Sequence, residues 1–445
     1  MHAVAQPHQT WLGVTGVVQA PGGTRENALC IVGASVRAAA YSARRAGYCP
    51  YAADQFGDRD LGHVAAACHV TSLQASDGLL SWLAEAPAAG WIYTGALENR
   101  WRLLKRLAGV KTLYGNPPEV ARRSRDPFRW TAILREAGLP YLDVLSPTEL
   151  KQVHADGSWV VKPLLSAGGR LIRILDRHSG SGASGLSAAT LAGHYYLQKR
   201  CHGRSCSALF IGDKKQAHLV AIAEQFIGRG AFGARDFTYC GGAAPLDLPL
   251  RAREQIAQIG TAFAAGLDLV GVFGVDFLYD GTDCWVTEIN PRYTASVELV
   301  ELATGESILQ KHMQVCQGTA LAPAKASEGR GGLSTASCKQ SVRSSPAVPV
   351  ARQIVAKAIL YAPRRLVFPD SGPWDNSLSR QLDVWSLPDY ADIPRPGAAI
   401  RSGAPILTIF ACAATTAAAL SELCVKASQV YHILGCRPAE AWDAA

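Results

Sequence analysis

The chain has 445 residues, 48 % of them apolar and 18 % charged, with 44 Lys plus Arg against 36 Asp plus Glu. That length favours about three domains, and the apolar share supports a sizeable buried core and argues against global disorder. The net charge of +8 is scattered, apart from a modest group at Arg122, Arg123 and Arg125, so it does not mark a nucleic-acid module and suits a polyanionic nucleotide equally well.

The twelve Cys form no C-x-x-C pair and no zinc-type spacing, and Cys30, Cys284 and Cys412 sit inside apolar runs as small hydrophobes. The N-terminal stretch lacks a basic segment followed by an apolar one. The most apolar segment, 404–420, is broken by Pro405 and several Thr, so neither a leader nor a membrane span is expected and a cytoplasmic location is.

Residues 1–26 lack periodicity and read as a tail or an edge strand. ALCIV from Ala28, the helical stretch VRAAAYSARRAG and the strand YCPYAAD form a βαβ unit over 28–54. Its Gly33-Ala34-Ser35 turn either holds an anion on free N–H groups or is a plain strand-to-helix turn. Residues 126–138 predict a helix capped by Asp126, with Pro127 at its first position and Gly138 as its stop. Short apolar segments then follow from YLDVL to HLVAIAEQFIG, some separated by Gly/Ser-rich stretches such as 179–187, and predict a mostly antiparallel sheet. A helix is expected at about 250–265, then the strands GVFGVDFLYD and CWVTEIN joined by a turn at 281–283. The stretch 322–348 reads as a linker. A strand near 353–361, a turn over DIPRPGAAIRSGAP, the strand ILTIFA and a closing helix complete the chain.

Two segments carry chemistry. In GVDFLYDGTDCWVTEINPR, Glu288 and Asn290 are two apart on one strand and share a face; pairing through the 281–283 turn sets Asp276 beside them. Two carboxylates and an amide oxygen are hard donors of the kind magnesium takes together with nucleotide phosphates, although a hairpin with solvent-facing polar residues has the same pattern. Arg292 follows on the same face if the strand continues past Pro291; alternatively it pairs with Glu298 or Glu301 on the next helix. In VVKPLLSAGGR, Lys162 lies on a buried-type strand and the Ser166–Gly169 turn can present N–H groups to phosphates, but a plain hairpin with an exposed Lys reads the same.

The order VVKP-LLSAGGR, YYLQKRCHGRS, GVDF and EINPR resembles the ATP-grasp superfamily over about 28–318. The resemblance implies an α/β (α+β) fold in which a Rossmann-like N-terminal domain (27–118) precedes a two-lobed ATP-grasp domain of antiparallel sheets (119–320, flap lobe about 140–200). A linker (321–350) and a small C-terminal β-rich domain with a closing helix (351–445) follow. It further implies ATP and two Mg2+ ions as cofactors, with Mn2+ as a substitute. By motif, Asp276, Glu288 and Asn290 would hold the metal, and Lys162 would contact the phosphates. Ser166, Gly168, Gly169 and Arg170 would form the flap, Gln198, Lys199 and Cys201 the adenine hinge, and Arg292 would steady the transferring phosphoryl group. Two positions depart from the pattern. The usual Asp-Lys pair reads Asp126-Pro127, so Arg125 or Arg129 must substitute or the contact is lost, and Ser205 stands where a ribose-binding carboxylate is common.

The implied activity is phosphorylation of a substrate carboxylate and transfer of the acyl group to an amine. Its partners are then a small-molecule carboxylate and amine, without nucleic acid or membrane and with a homodimer kept open. The rivals are a biotin-carboxylase-like enzyme using bicarbonate and a nucleotide-binding regulatory protein without turnover. GASVRAAAYSARRAG, AEQFIG and EINPRYTASVEL also resemble uncharacterised ATP-grasp proteins of methanofuran- or methanopterin-type cofactor synthesis, which would suggest glutamate or a similar amino acid joined to a cofactor precursor.

Overall fold

The computed structural model describes residues 27–74, 76–176, 191–319, 353–379 and 383–437. The expected tail 1–26, the Gly/Ser-rich spacer 179–187 and the linker 321–350 lie outside these residues.

The N-terminal unit is built of short strands, β1 (Ala28–Val32), β2 (Cys49–Asp54), β3 (Ala67–Val70), β4 (Gly90–Tyr93) and β5 (Thr112–Leu113). They are buried at β1 and β4 and largely exposed at the edges β3 and β5. All pair in parallel in the order β3-β2-β1-β4-β5, with helices α1 (Arg37–Arg45), α2 (Ser76–Glu85) and α3 (Trp101–Ala108) as crossovers. The predicted βαβ start is present. Its turn is held by protein acceptors: Gly33 N–H donates to Ala53 O, Ala34 N–H to Gly95 O and Val36 N–H to the Asp54 carboxylate. Of the two readings of that turn, the plain strand-to-helix turn fits. Gly33 is required there, since a Cβ would lie 1.8 Å from Thr94 Oγ1.

Helices α4 (Pro118–Ser124) and α5 (Pro127–Glu136) lead into the next unit. The Asp126 side chain accepts from the N–H groups of Phe128 and Arg129, as its position before Pro127 predicts. Strands β6 (Val144–Leu145), β7 (Asp156–Pro163), β8 (Arg173–Asp176) and β9 (Tyr195–Lys199) form a small antiparallel sheet in the order β6-β9-β7-β8. Then come β10 (Arg204–Asp213), β11 (Ala217–Ile227), β12 (Tyr239–Ala244), helix α6 (Leu250–Leu267), β13 (Val270–Tyr279), β14 (Cys284–Asn290), and helices α7 (Ala295–Thr304) and α8 (Ile308–Cys316).

The C-terminal segments are β15 (Ile354–Tyr361), β16 (Leu366–Val367), β17 (Tyr390–Ala391), β18 (Ala399–Ile400), β19 (Pro405–Ala413) and α9 (Thr416–Ile433). Strands β15, β19 and β17 extend the preceding sheet, giving one antiparallel sheet in the order β14-β13-β10-β11-β12-β15-β19-β17. The joint is the β12–β15 pair, Gly241 to Ala244 against Ala358 to Val355.

One apolar cluster joins Leu29, Ile31, Ala39 and Ala40 of the N-terminal unit to Val297, Val300, Leu309 and Met313 of α7 and α8. A buried charge cluster crosses the same seam. Glu298 is 1 % exposed and accepts from both terminal nitrogens of Arg37, and Lys357 Nζ donates to its Oε2 at 2.8 Å. Arg37 Nε also donates to Asp392 at 3.0 Å, and Arg45 Nη1 lies 2.9 Å from buried Glu301. Burial pushes the Glu298 carboxyl up, but Arg37 and then Lys357 outweigh it and hold it below the usual carboxylate range. Its charge therefore stabilises the fold in full at neutral pH, a contribution lost as pH falls below the unfolded value of about 4.3. Glu298→Gln should cost about 3 kcal/mol, because two buried cations lose a shared anion. It should also flatten the acid limb of stability against pH; urea titrations from pH 3 to 7 check both.

Candidate functional site

The β13–β14 hairpin forms as its sequence predicts, with Asp276 opposite Glu288 and Gly274 opposite Asn290, and a bulge after Asp276. Asn290 Nδ2 donates to Asp276 Oδ2 at 3.0 Å, Gln225 Nε2 donates to Oδ1 at 3.0 Å, and the Ser207 hydroxyl is a third partner. The two acids are poised differently. Burial, then the neighbouring Glu288, pushes Asp276 up to about 6. Burial also acts upward on Glu288, but Arg125, followed by Lys162, holds its carboxyl below its ordinary value.

Strand β7 delivers Lys162, buried to 8 % exposure, whose Nζ donates to Gln198 Oε1 at 3.1 Å and Thr287 O at 2.8 Å. The lysine thus bridges the small sheet and β14. Beyond β7, Gly168 and Gly169 both take positive φ, and Tyr239 N–H donates to Gly168 O at 3.3 Å. A Cβ on Gly169 would lie 1.7 Å from Phe237 O, so this turn rests directly on the 228–238 loop.

The chain does not continue as a strand past Pro291, because β14 ends at Asn290 and Arg292 N–H turns back to Asn290 O at 2.8 Å. The Arg292 guanidinium therefore swings toward the N-terminal unit. Nε and Nη2 donate to Glu98 Oε1 at 3.0 and 2.8 Å, Nη2 also to Asn290 Oδ1 at 3.0 Å, and Nη1 to Tyr293 O at 3.1 Å. Neither Glu298 nor Glu301 is its partner, since Arg37, Lys357 and Arg45 hold those two. Of the two arginines weighed against Pro127, Arg125 ion-pairs with Glu288, while Arg129 is exposed on α5.

These groups line or border one cleft of about 1020 Å³, at the upper end of the roughly 300–1,000 Å³ typical of small-molecule sites. Lys162, Gly168, Gly169, Gln198, Lys199, Cys201, Asp276, Glu288, Asn290 and Arg292 all lie on its wall, as does Ser205. Ser166 and Arg170 do not; Ser166 O instead accepts from Asn99 Nδ2 and Arg125 Nη2, and Arg170 is exposed. Lys199 Nζ stands 5.2 Å from the centroid of the Trp159 ring. Phe232, Leu420 and Cys424 also line the cleft.

The sequence reading overlooked Glu98 and Asn99. Both follow β4, a central parallel strand beside β1, and the carboxyl end of such a strand is where open α/β sheets place ligand-facing loops. An acid and an amide at that point were the available signal. Asp276, Glu288 and Asn290 offer only oxygen donors suited to magnesium, and phosphate oxygens would have to complete the shell. Among the described residues, no group of three or more His, Cys, Asp or Glu side chains could hold a metal ion by itself. No described helix is long and apolar enough to cross a membrane.

Residues 126–296 match the ATP-grasp domain family. The chain carries an ATP-grasp domain. The architecture around this grasp domain is shared as well. The L-amino acid ligase of Bacillus licheniformis superposes with a TM-score of 0.63 at 16 % identity, covering 91 % of this chain and 98 % of that one. The N5-carboxyaminoimidazole synthetase of Staphylococcus aureus, complexed with ADP, gives 0.61 at 15 % identity over 90 % and 97 %. The biotin carboxylase domain of Hydrogenobacter thermophilus 2-oxoglutarate carboxylase, a dimer with MgADP, ADP and bicarbonate, gives 0.60 at 15 % over 89 % and 88 %. In sequence, the large chain of carbamoyl phosphate synthase from Clostridium acetobutylicum is 21 % identical over 218 residues. That alignment spans 47 % of this chain but only 20 % of that protein. An uncharacterized protein of Methanocaldococcus jannaschii is 20 % identical over 69 % of this chain and 65 % of its own length.

Gly169→Ala combines a positive φ with the Phe237 clash, a strain of about 1–3 kcal/mol that lifting the turn relieves. Amide exchange over 164–172 should then quicken by roughly tenfold or more, read by mass spectrometry, with the β10–β14 amides unchanged.

Proposed function

We propose that this chain is an ATP- and magnesium-dependent ligase that converts a substrate carboxylate to an acyl phosphate and joins it to an amine. The observation that carries this reading is the meeting of Asp276, Glu288 and Asn290 oxygens with Lys162 and Arg292 on one cleft wall. A carboxylate oxygen attacks the γ-phosphorus of ATP and ADP leaves. The amine nitrogen then attacks the acyl carbon, phosphate leaves and the nitrogen gives up a proton. The chemistry demands positioning and charge neutralisation more than a side-chain nucleophile.

Magnesium, when bound, would neutralise phosphate charge between Asp276, Glu288 and Asn290. In this reading Lys162 holds the α/β-phosphates, and the Gly168–Gly169 turn covers them. Gln198, Lys199 and Cys201 border the base. Four hydrogen bonds fix the Arg292 fork and leave one N–H to reach the transferring group. The cation is otherwise well paired, so its contribution is geometric.

The partners in this reading are a small-molecule carboxylate and an amine, an amino acid such as glutamate being one candidate for the acid. A bicarbonate-using carboxylase is the second reading, favoured by the fold shared with a biotin carboxylase domain complexed with bicarbonate. ADP release measured over panels of carboxylic acids, amines and bicarbonate separates the two. Release needing both an acid and an amine supports the ligase, release with bicarbonate supports the carboxylase, and none with any combination would leave a nucleotide-binding protein without turnover.

Two variants refine the roles. Lys162→Ala should weaken ATP binding by roughly tenfold or more by calorimetry, the value of a charge-assisted bond to phosphate. Arg292→Lys should lower kcat by roughly 10² to 10³ while the KM for ATP stays within a few-fold, because the charge remains and the fork is lost.

A further inference from the structure

Arg125 joins three parts of the cleft through one side chain. Its Nη1 ion-pairs with Glu288 Oε1, while Nη2 donates to Ser166 O at 3.0 Å and approaches Leu164 O at 3.5 Å. Ser166 and Leu164 are the root of the glycine turn that closes on the 228–238 loop. The Arg125 backbone has no freedom to follow a moving side chain, since it caps α4 and directly precedes the Asp126 cap of α5. Its Nε is buried with no hydrogen-bond partner, so nothing else tethers the guanidinium along its length.

Resting on the metal–nucleotide reading above, we propose that Arg125 is a positioning residue that competes with the divalent cation for Glu288 and transmits that competition to the root of the flap. The guanidinium is a rigid plane, so swinging Nη1 off Glu288 turns the Nη2 N–H out of line with Ser166 O. A divalent ion on Glu288 would sit within a few ångströms of a like charge and drive that movement. Asn99 Nδ2, 2.9 Å from Ser166 O, keeps a second donor on the flap root while Arg125 changes partner. Metal occupancy and flap mobility are thereby the two ends of one side-chain movement, and the freed guanidinium lies beside the incoming phosphates.

The test uses Mn2+ alone as probe, with free Mn2+ read by electron paramagnetic resonance and flap-root mobility by amide exchange over 164–170. Arg125→Met removes the competitor, so Mn2+ should bind roughly tenfold tighter than in wild type, about 1.4 kcal/mol. Wild-type flap-root exchange should quicken on saturation with Mn2+, while in Arg125→Met it is fast already and indifferent to the ion. Arg125→Lys keeps a cation at Glu288 but has no second nitrogen to span to Ser166. It should bind Mn2+ like wild type and exchange like Arg125→Met, a split that general loosening of the fold does not produce and that carries the test if Arg125→Met fails to fold. Unchanged Mn2+ affinity in Arg125→Met, or wild-type exchange indifferent to Mn2+, overturns the proposal while weakened binding in Glu288→Gln keeps the metal reading. Glu288→Gln binding Mn2+ like wild type removes the metal reading and the proposal together.

Discussion

A carboxylate buried in the middle of a protein must be neutralised where it stands, and Glu298 is such a group. Its two partners come from opposite ends of the chain, Arg37 on the first helix and Lys357 on the first C-terminal strand. Helix α7, which carries Glu298, begins five residues after Asn290. Satisfying Glu298 therefore fixes, in one stroke, the seam between the three units and the loop that aims Arg292. Tyr93 and Asn116 of the N-terminal unit clasp the same loop through Pro291 O. The cleft floor is consequently shaped by residues from outside the grasp domain.

Around the β13–β14 hairpin the charges are paired before any ligand is considered, while the rest of the cleft wall, with Lys199, Arg200, Arg204 and Arg229 against Glu224, is basic. Arg125, Lys162 and Arg292 stand against Glu98, Asp276 and Glu288, and each of them has a protein partner. Such balance preorganises the wall at low cost in a partly dry site. It also means that a ligand reaching this hairpin enters by exchanging partners rather than by filling empty positions. The opposite displacements of Asp276 and Glu288, one acid raised and the other lowered, follow from which of them touches Arg125.

The features legible in the sequence were those set by local periodicity and turn chemistry. Alternation along TEIN and the short turn at 281–283 were enough to pair Asp276 with Glu288, and Asp126-Pro127 was enough to place the start of α5. What stayed hidden depends on contacts between distant segments. Glu98 has no periodic context and gains meaning only when β4 is set beside the end of β14. Arg292 reaches the wall shared with Asn290 by a turn at Pro291 rather than by a continued strand, and its pairing with Glu98 was not legible. The pairing of β15 with β12 joins segments more than a hundred residues apart, and short-range pattern does not encode a partner at that distance.

The unbroken run of hydrogen bonds from β14 to β19 makes the cleft floor a ruler. Neighbouring strands are separated by about 4.8 Å, so the three steps from β13 to β12 set roughly 14 Å between the Asp276 strand and the Tyr239–Ala244 strand. No loop within that span can lengthen or shorten it. A molecule that reacts near Asp276 and is gripped near Gly242 is thus measured against a scale graduated in strands. Adjustment is left to the side chains that line the cleft, Leu420 and Cys424 of the last helix among them.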